Sequence, residues 1–96
     1  MNKSNLLNKL KSYKNDNAQK YGILSIGVFG SFARSQETKC SDVDIVIQIE
    51  TPDPFILVHI KEDLEAQLHL PVDIVRFREK MNPFLKSQIE KEALYL

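Results

Sequence analysis

Residues 42–49 read DVDIVIQI, and no other stretch constrains the fold as much. Val43, Ile45, Ile47 and Ile49 alternate with Asp42, Asp44, Val46 and Gln48. That period of two is a β-strand with one fully apolar face. The strand must bury that face and carry two carboxylates on the other, both near its start. Two carboxylates held about 6 Å apart repel by about 0.7 kcal/mol in bulk water, and more where water is partly excluded. A divalent cation would offset that cost, because hard cations take carboxylate oxygens. An exposed edge or a charged strand end is the plainer account of such a pair.

The flanking segments supply what this strand packs against. Residues 4–20 read as a helix capped by Ser4, with Leu6, Leu10 and Tyr13 at helical spacing and Gly22 as its stop. Residues 23–29 are rich in β-formers and predict a buried strand. Residues 31–39 predict a short helical turn and loop. Asp53-Pro54 opens a helix with Leu57, Ile60, Leu64 and Leu68 as its core stripe. A third strand follows Pro71 over residues 72–77. Asn82-Pro83 repeats the cap signal, and Leu85, Ile89, Ala93 and Leu96 stripe a final helix. The expected fold is α/β, or α+β: a small mixed β-sheet of three or more strands with helices packed on one face. If the strands at 42–49 and 72–77 are parallel, the helix between them makes a right-handed crossover.

A chain of 96 residues without repeat, linker or low-complexity segment reads as a single domain over residues 1–96. Substrate-binding and catalytic domains do not both fit, so recognition must draw on a partner or on a second copy in an oligomer. One cysteine excludes a disulfide scaffold and a cysteine-based zinc site. The longest uncharged stretch, Tyr21 to Ala33, is shorter than the ~20 apolar residues of a membrane span. The expected setting is cytoplasmic, away from membranes. Net charge is zero, which argues against direct nucleic-acid binding, yet residues 41–73 hold eight acids against Lys61 alone. The acids in that middle third are where a cation would be needed.

Three further features sit around the acid pair. Asp73 stands near the start of the third strand, and side-by-side strands would bring it next to Asp42 and Asp44. Three converging carboxylates suit a pair of Mg²⁺ ions, the arrangement used for in-line displacement at phosphorus. Gly30-Ser31 ends the first strand and opens a helical turn, whose N–H groups and dipole attract phosphate. Arg34, one turn on, adds a positive contact. Taken singly, Gly-Ser is an ordinary turn and Asp73 an ordinary solvated acid. Their order along the chain is the unusual part.

The run Gly30-Ser31-Phe32-Ala33-Arg34-Ser35, then Ser41-Asp42-Val43-Asp44-Ile45, then Val72-Asp73-Ile74-Val75 resembles the minimal nucleotidyltransferases of the DNA polymerase beta-like superfamily. The resemblance covers nearly the whole chain. One departure is Ser35, where the family often has glycine, and it predicts a stiffer or differently shaped turn. The resemblance implies a nucleotidyltransferase fold and Mg²⁺-dependent transfer of a nucleoside monophosphate from an NTP, with ATP favoured, to a hydroxyl. By the same resemblance, Gly30 and Ser31 hold the β- and γ-phosphates, aided by Arg34. Asp42 and Asp44 bind two Mg²⁺ ions, and Asp73 binds the one nearest the acceptor and helps deprotonate its hydroxyl. It also implies a helical HEPN-type partner protein, a toxin that the chain restrains as antitoxin by modifying it. Two rivals stand beside this: the same chemistry on a small molecule such as an aminoglycoside, and a non-catalytic antitoxin that acts by occlusion.

Other residues have plain readings. Cys40 is a bystander thiol, and His59 and His69 are exposed helix positions. The N-terminal lysines form a solvated face without interleaved aromatic residues. Glu62, Asp63 and Glu65 read as the outer face of a helix, and the Leu85–Leu96 stripe as core that a partner could still meet.

Overall fold

The computed structural model describes residues 2–36 and 42–96. The expectations for Cys40, Ser41 and the loop through 37–41 lie outside the described residues. Helix α1 (Lys3–Tyr21) leads into β1 (Ile23–Phe29), followed by β2 (Val43–Ile49), α2 (Pro54–Leu68), β3 (Val72–Arg76), α3 (Pro83–Glu92) and β4 (Leu94–Tyr95). The strands form one sheet in the order β3-β2-β1-β4. β2 and β3 run parallel, while β1 is antiparallel to both β2 and β4. The sheet is therefore mixed, as the alternation and the α2 crossover require.

Local chemistry explains the helix ends. Asp53 and Asn82 cap α2 and α3 by accepting N–H bonds at 2.9 Å from Phe55 and Phe84, and Pro54 and Pro83 stand in the first turns. Gly22 closes α1 with φ 65, a left-handed conformation that costs glycine little. The cap at the start of α1 is Asn2, not Ser4. Its side chain accepts from the Asn5 N–H at 2.9 Å, so the cap sits two residues earlier than expected and Ser4 lies inside the helix.

The period-2 face of β2 forms the main core. Val43, Ile45 and Ile47 pack with Ile26 and Val28 of β1 against Leu6, Leu10 and Tyr13 of α1 and Ile60, Leu64 and Leu68 of α2. Truncating a residue such as Ile45 to alanine would cost about 2–5 kcal/mol. The opposite face is covered too. Phe29, Val46 and Ile89 are buried together, with Val75, Phe77 and Leu85 packed around them. Helices therefore flank both faces, correcting the one-face expectation: α1 and α2 lie on one side and α3 on the other.

The final helix also ends early. Ala93 leaves helical geometry at φ -66, ψ 134, and Leu94–Tyr95 pair with Val28 and Gly27. Leu96 continues that ladder, donating its N–H to the Ile26 carbonyl at 3.0 Å, and packs with the main core rather than on an α3 stripe. The acids of α2 do more than face solvent. Asp63 accepts from the hydroxyls of Tyr13 (2.8 Å) and Tyr21 (3.2 Å), tying α2 to α1, and Glu65 accepts the Val72 N–H at 3.0 Å. Burial, reinforced by Asp63, pushes the Tyr13 hydroxyl pKa far up, so it stays a donor.

Candidate active site

The carboxylates take their places from strand register. Asp44 is the Cα partner of Asp73 across the parallel β2–β3 ladder, and of Phe29 across the antiparallel β1–β2 ladder. Alternation puts Asp44 and Asp73 on the α3 face, since Val46 and Val75, two residues on, belong to the core beneath α3. Asp73 is exposed, Asp44 is partly buried, and Asp42 is exposed just before β2 begins. Burial, then the charges of Asp73 and Asp42, push the Asp44 carboxyl above the usual carboxylate range, while Arg34 pulls the other way. All three acids and the arginine thus act on one electrostatic site.

Gly30 completes the approach to Asp44. Its φ is +74, and a Cβ on it would lie 2.2 Å from Asp44 Oδ2. Only glycine lets the β1 end pass so close to this carboxylate. The segment after it is a single turn, as its sequence leads one to expect. Arg34 donates its N–H to the Gly30 carbonyl at 3.1 Å, and Gln36 to the Ser31 carbonyl at 2.8 Å. One turn carries little macrodipole, so attraction for an anion comes from local N–H groups, Ser31 and the Arg34 guanidinium. Phe32 anchors the turn by burial in the main core. Ser35 closes it with φ 57. That conformation, costly with a Cβ, is the physical reason glycine suits this position.

A residue that was not foreseen joins the site. Glu92 Oε2 accepts both the Gly30 N–H at 3.1 Å and the Arg34 Nη1 at 2.8 Å. Nothing in the periodicity marked Glu92, because its partners are brought to it by β4 pairing with β1.

The donors on this face are carboxylate oxygens, which suit a hard cation. Among the described residues no group of three His, Cys, Asp or Glu side chains stands ready to hold a metal ion. Mg²⁺ seldom needs one, since it takes one or two carboxylates and completes its octahedron with water and substrate phosphates. Asp44 beside Asp73, with an anion-attracting turn at Gly30, fits that mode of binding.

Comparison with known proteins gives the family. The profile of the nucleotidyltransferase domain family matches residues 10–96. The protein adenylyltransferase MntA of Thermococcus cleftensis is 38% identical over 86 residues, covering 88% of this chain and 82% of that one. A solved structure carrying the provisional name minimal nucleotidyltransferase superposes with a TM-score of 0.79 at 27% identity, covering 98% of this chain and 95% of the other. A toxin–antitoxin crystal structure with AMP-PNP superposes with a TM-score of 0.75 at 25% identity, covering 92% of this chain and 69% of the matched one. With its glycine-serine turn, its aspartates in register and this kinship, the chain belongs to the nucleotidyltransferase domain family and is a minimal nucleotidyltransferase.

Proposed function

We propose that this chain moves AMP from ATP onto a hydroxyl of a partner protein in the cytoplasm, and that it serves as the antitoxin of a helical HEPN-type toxin. The observation that carries the reading is the Asp44–Asp73 register beside the Gly30 turn, which sets a cation site against an anion site. Support for AMP and for a protein acceptor comes from the MntA relative and from the AMP-PNP-bound toxin–antitoxin neighbour.

In this reading the triphosphate lies along the turn, with its β- and γ-phosphates on Gly30 and Ser31 and the Arg34 charge nearby. Asp44 and Asp73, with Asp42 just before β2, would hold Mg²⁺, which would supply Lewis-acid polarisation of the phosphate oxygens. The acceptor oxygen bonds to the α-phosphorus while the bond from that phosphorus to the β-bridging oxygen breaks. Pyrophosphate leaves with the electron pair, and the acceptor proton passes to Asp73. Asp73 suits this role because it is exposed on β3, which lies at the sheet edge and away from the β1 end that carries the turn.

The test incubates the chain with Mg²⁺, ATP labelled at the α-phosphate, and the protein encoded beside it, with the Asp44→Asn variant run in parallel. Label on the neighbour with wild type alone supports the reading. Label on an aminoglycoside instead moves the acceptor to a small molecule. No label, with a variant that still protects cells from the toxin, replaces transfer by occlusion.

A further inference from the structure

Glu92 stands outside every motif that the family resemblance carries, yet one of its oxygens meets two parts of the phosphate-binding turn. The origin of the contact lies in the β1–β4 ladder. Gly27 pairs with Tyr95 and Val28 with Leu94. Continued two residues further in the same register, the ladder places Gly30 opposite Glu92. There α3 has not yet ended, so the Glu92 backbone is helical and presents no strand carbonyl. Its side chain takes the ladder's place and accepts the Gly30 N–H at 3.1 Å. The same oxygen accepts from Arg34 at 2.8 Å, and Arg34 Nε donates to Gln36 Oε1 at 3.1 Å. The guanidinium is thus held from two sides, although its side chain is 44% exposed.

We propose that Glu92 is a positioning residue for the nucleotide: through one shared carboxylate oxygen it fixes the Gly30 turn and aims the Arg34 guanidinium at the triphosphate. The proposal rests on the nucleotidyl-transfer reading. Glu92 acts through Arg34 and Gly30 and touches no reacting atom. Its contact with Gly30 runs sideways along the sheet, toward β4, as a ladder bond does. It therefore braces the turn from the side. The turn is held in its middle by Phe32 in the core and at Gly30 and Arg34 by Glu92.

The experiment measures Mg–AMP-PNP affinity by calorimetry for wild type, Arg34→Ala, Glu92→Ala, Glu92→Gln and the Arg34→Ala/Glu92→Ala double variant. Glu92→Ala should weaken binding about tenfold, close to Arg34→Ala, since a charge-assisted bond is what each removes. The double variant should be weaker than either single one but by less than the product of the two effects, because Glu92 works partly through Arg34 and partly through Gly30. Glu92→Gln, which keeps an acceptor for the Gly30 N–H, should fall between wild type and Glu92→Ala. A residue needed only for folding would lower the binding stoichiometry and leave Kd unchanged, so that result overturns the proposal. So does tighter binding by Glu92→Gln, which would make the carboxylate a competitor of phosphate, and so does a multiplicative double variant. A wild type that binds no Mg–AMP-PNP sinks the nucleotidyl-transfer reading and this role with it. A wild type that binds, with Glu92→Ala unchanged, sinks this role alone.

Discussion

Asp44 and Asp73 are direct partners across the parallel β2–β3 ladder, so two acids from distant parts of the chain stand side by side on one face. Burial of Asp44, with the charges of Asp73 and Asp42 beside it, makes its ionised form costly in the metal-free protein at neutral pH. Asp44 is harder to ionise in the folded chain than in the unfolded one. Its contribution is therefore favourable at acid pH and is lost as pH rises through the raised folded value. Asp44→Asn should abolish nucleotidyl transfer and raise metal-free stability at pH 7. The gain is small, because solvent still reaches the group, and is read as a higher Tm of the metal-free variant. The gap between variant and wild type should close below about pH 4, where both folded and unfolded Asp44 are protonated. Thermal melts in chelator from pH 3 to 8 check this, and a gap constant with pH would refute it.

Gly30→Ala tests the closeness of the turn to Asp44. The added methyl meets Asp44 Oδ2 and must also hold φ +74. Either the carboxylate or the turn must move, and transfer should fall by about two orders of magnitude, as misplacement of about 1 Å does elsewhere. Stability should drop by about 1–2 kcal/mol from the backbone strain. Labelled-ATP assays and urea titration measure the two effects separately. Full activity would mean that Asp44 does not lie over Gly30.

Ser35→Gly should work in the opposite direction. Ser35 holds a left-handed φ of 57 at the end of the turn. Glycine adopts that conformation without the Cβ penalty, at the cost of a more flexible unfolded chain. The expected net gain is about 0.5–1 kcal/mol, read as a higher urea midpoint with the same m-value. A loss of stability would indicate that the serine side chain contributes more than its backbone costs.

Tyr13→Phe separates structural acids from catalytic ones. The Tyr13 ring is buried, and its hydroxyl donates to Asp63 at 2.8 Å. Removing the hydroxyl should cost about 1 kcal/mol, because Asp63 keeps Tyr21 as a donor. Asp63→Ala should cost more, by leaving the buried Tyr13 hydroxyl without this acceptor. Neither should change transfer per folded molecule. A fall in specific activity at constant folded fraction would place Asp63 in the reaction after all.

What the sequence makes readable here follows from how local each cause is. The acid pair on β2 and the caps Asp53 and Asn82 are short-range features, so periodicity and residue type point to them directly. Ala93 is different. Its stripe continues from Leu85 and Ile89 as if the helix ran on, and only pairing with β1 ends it. Glu92 is hidden for the same reason, since its partners lie at the end of a strand far away in the chain. The placement of α3 did leave a signal. Val46 sits between Asp44 and Gln48 on the supposedly polar face of β2, and it is fully buried. A valine there, with Phe29, Val75 and Phe77 on neighbouring positions, means that this face is covered as well. The exchange of Asn2 for Ser4 at the α1 cap has a simpler cause, because both residue types cap well and sequence alone does not rank them.

The parallel pairing of β2 with β3 also governs when the site comes into being. Its two strands are separated by all of α2, so the pairing closes a long loop and is among the slower contacts a small domain makes. Local helices and the β1 turn can form before it. Until it forms, Asp44 and Asp73 are independent acids with no shared claim on a cation. A collapsed chain with its helices in place but this one ladder missing would look folded by its secondary structure and yet have no paired acidic face. Appearance of that face during refolding therefore reports a long-range step of the topology, later than any signal from helix content.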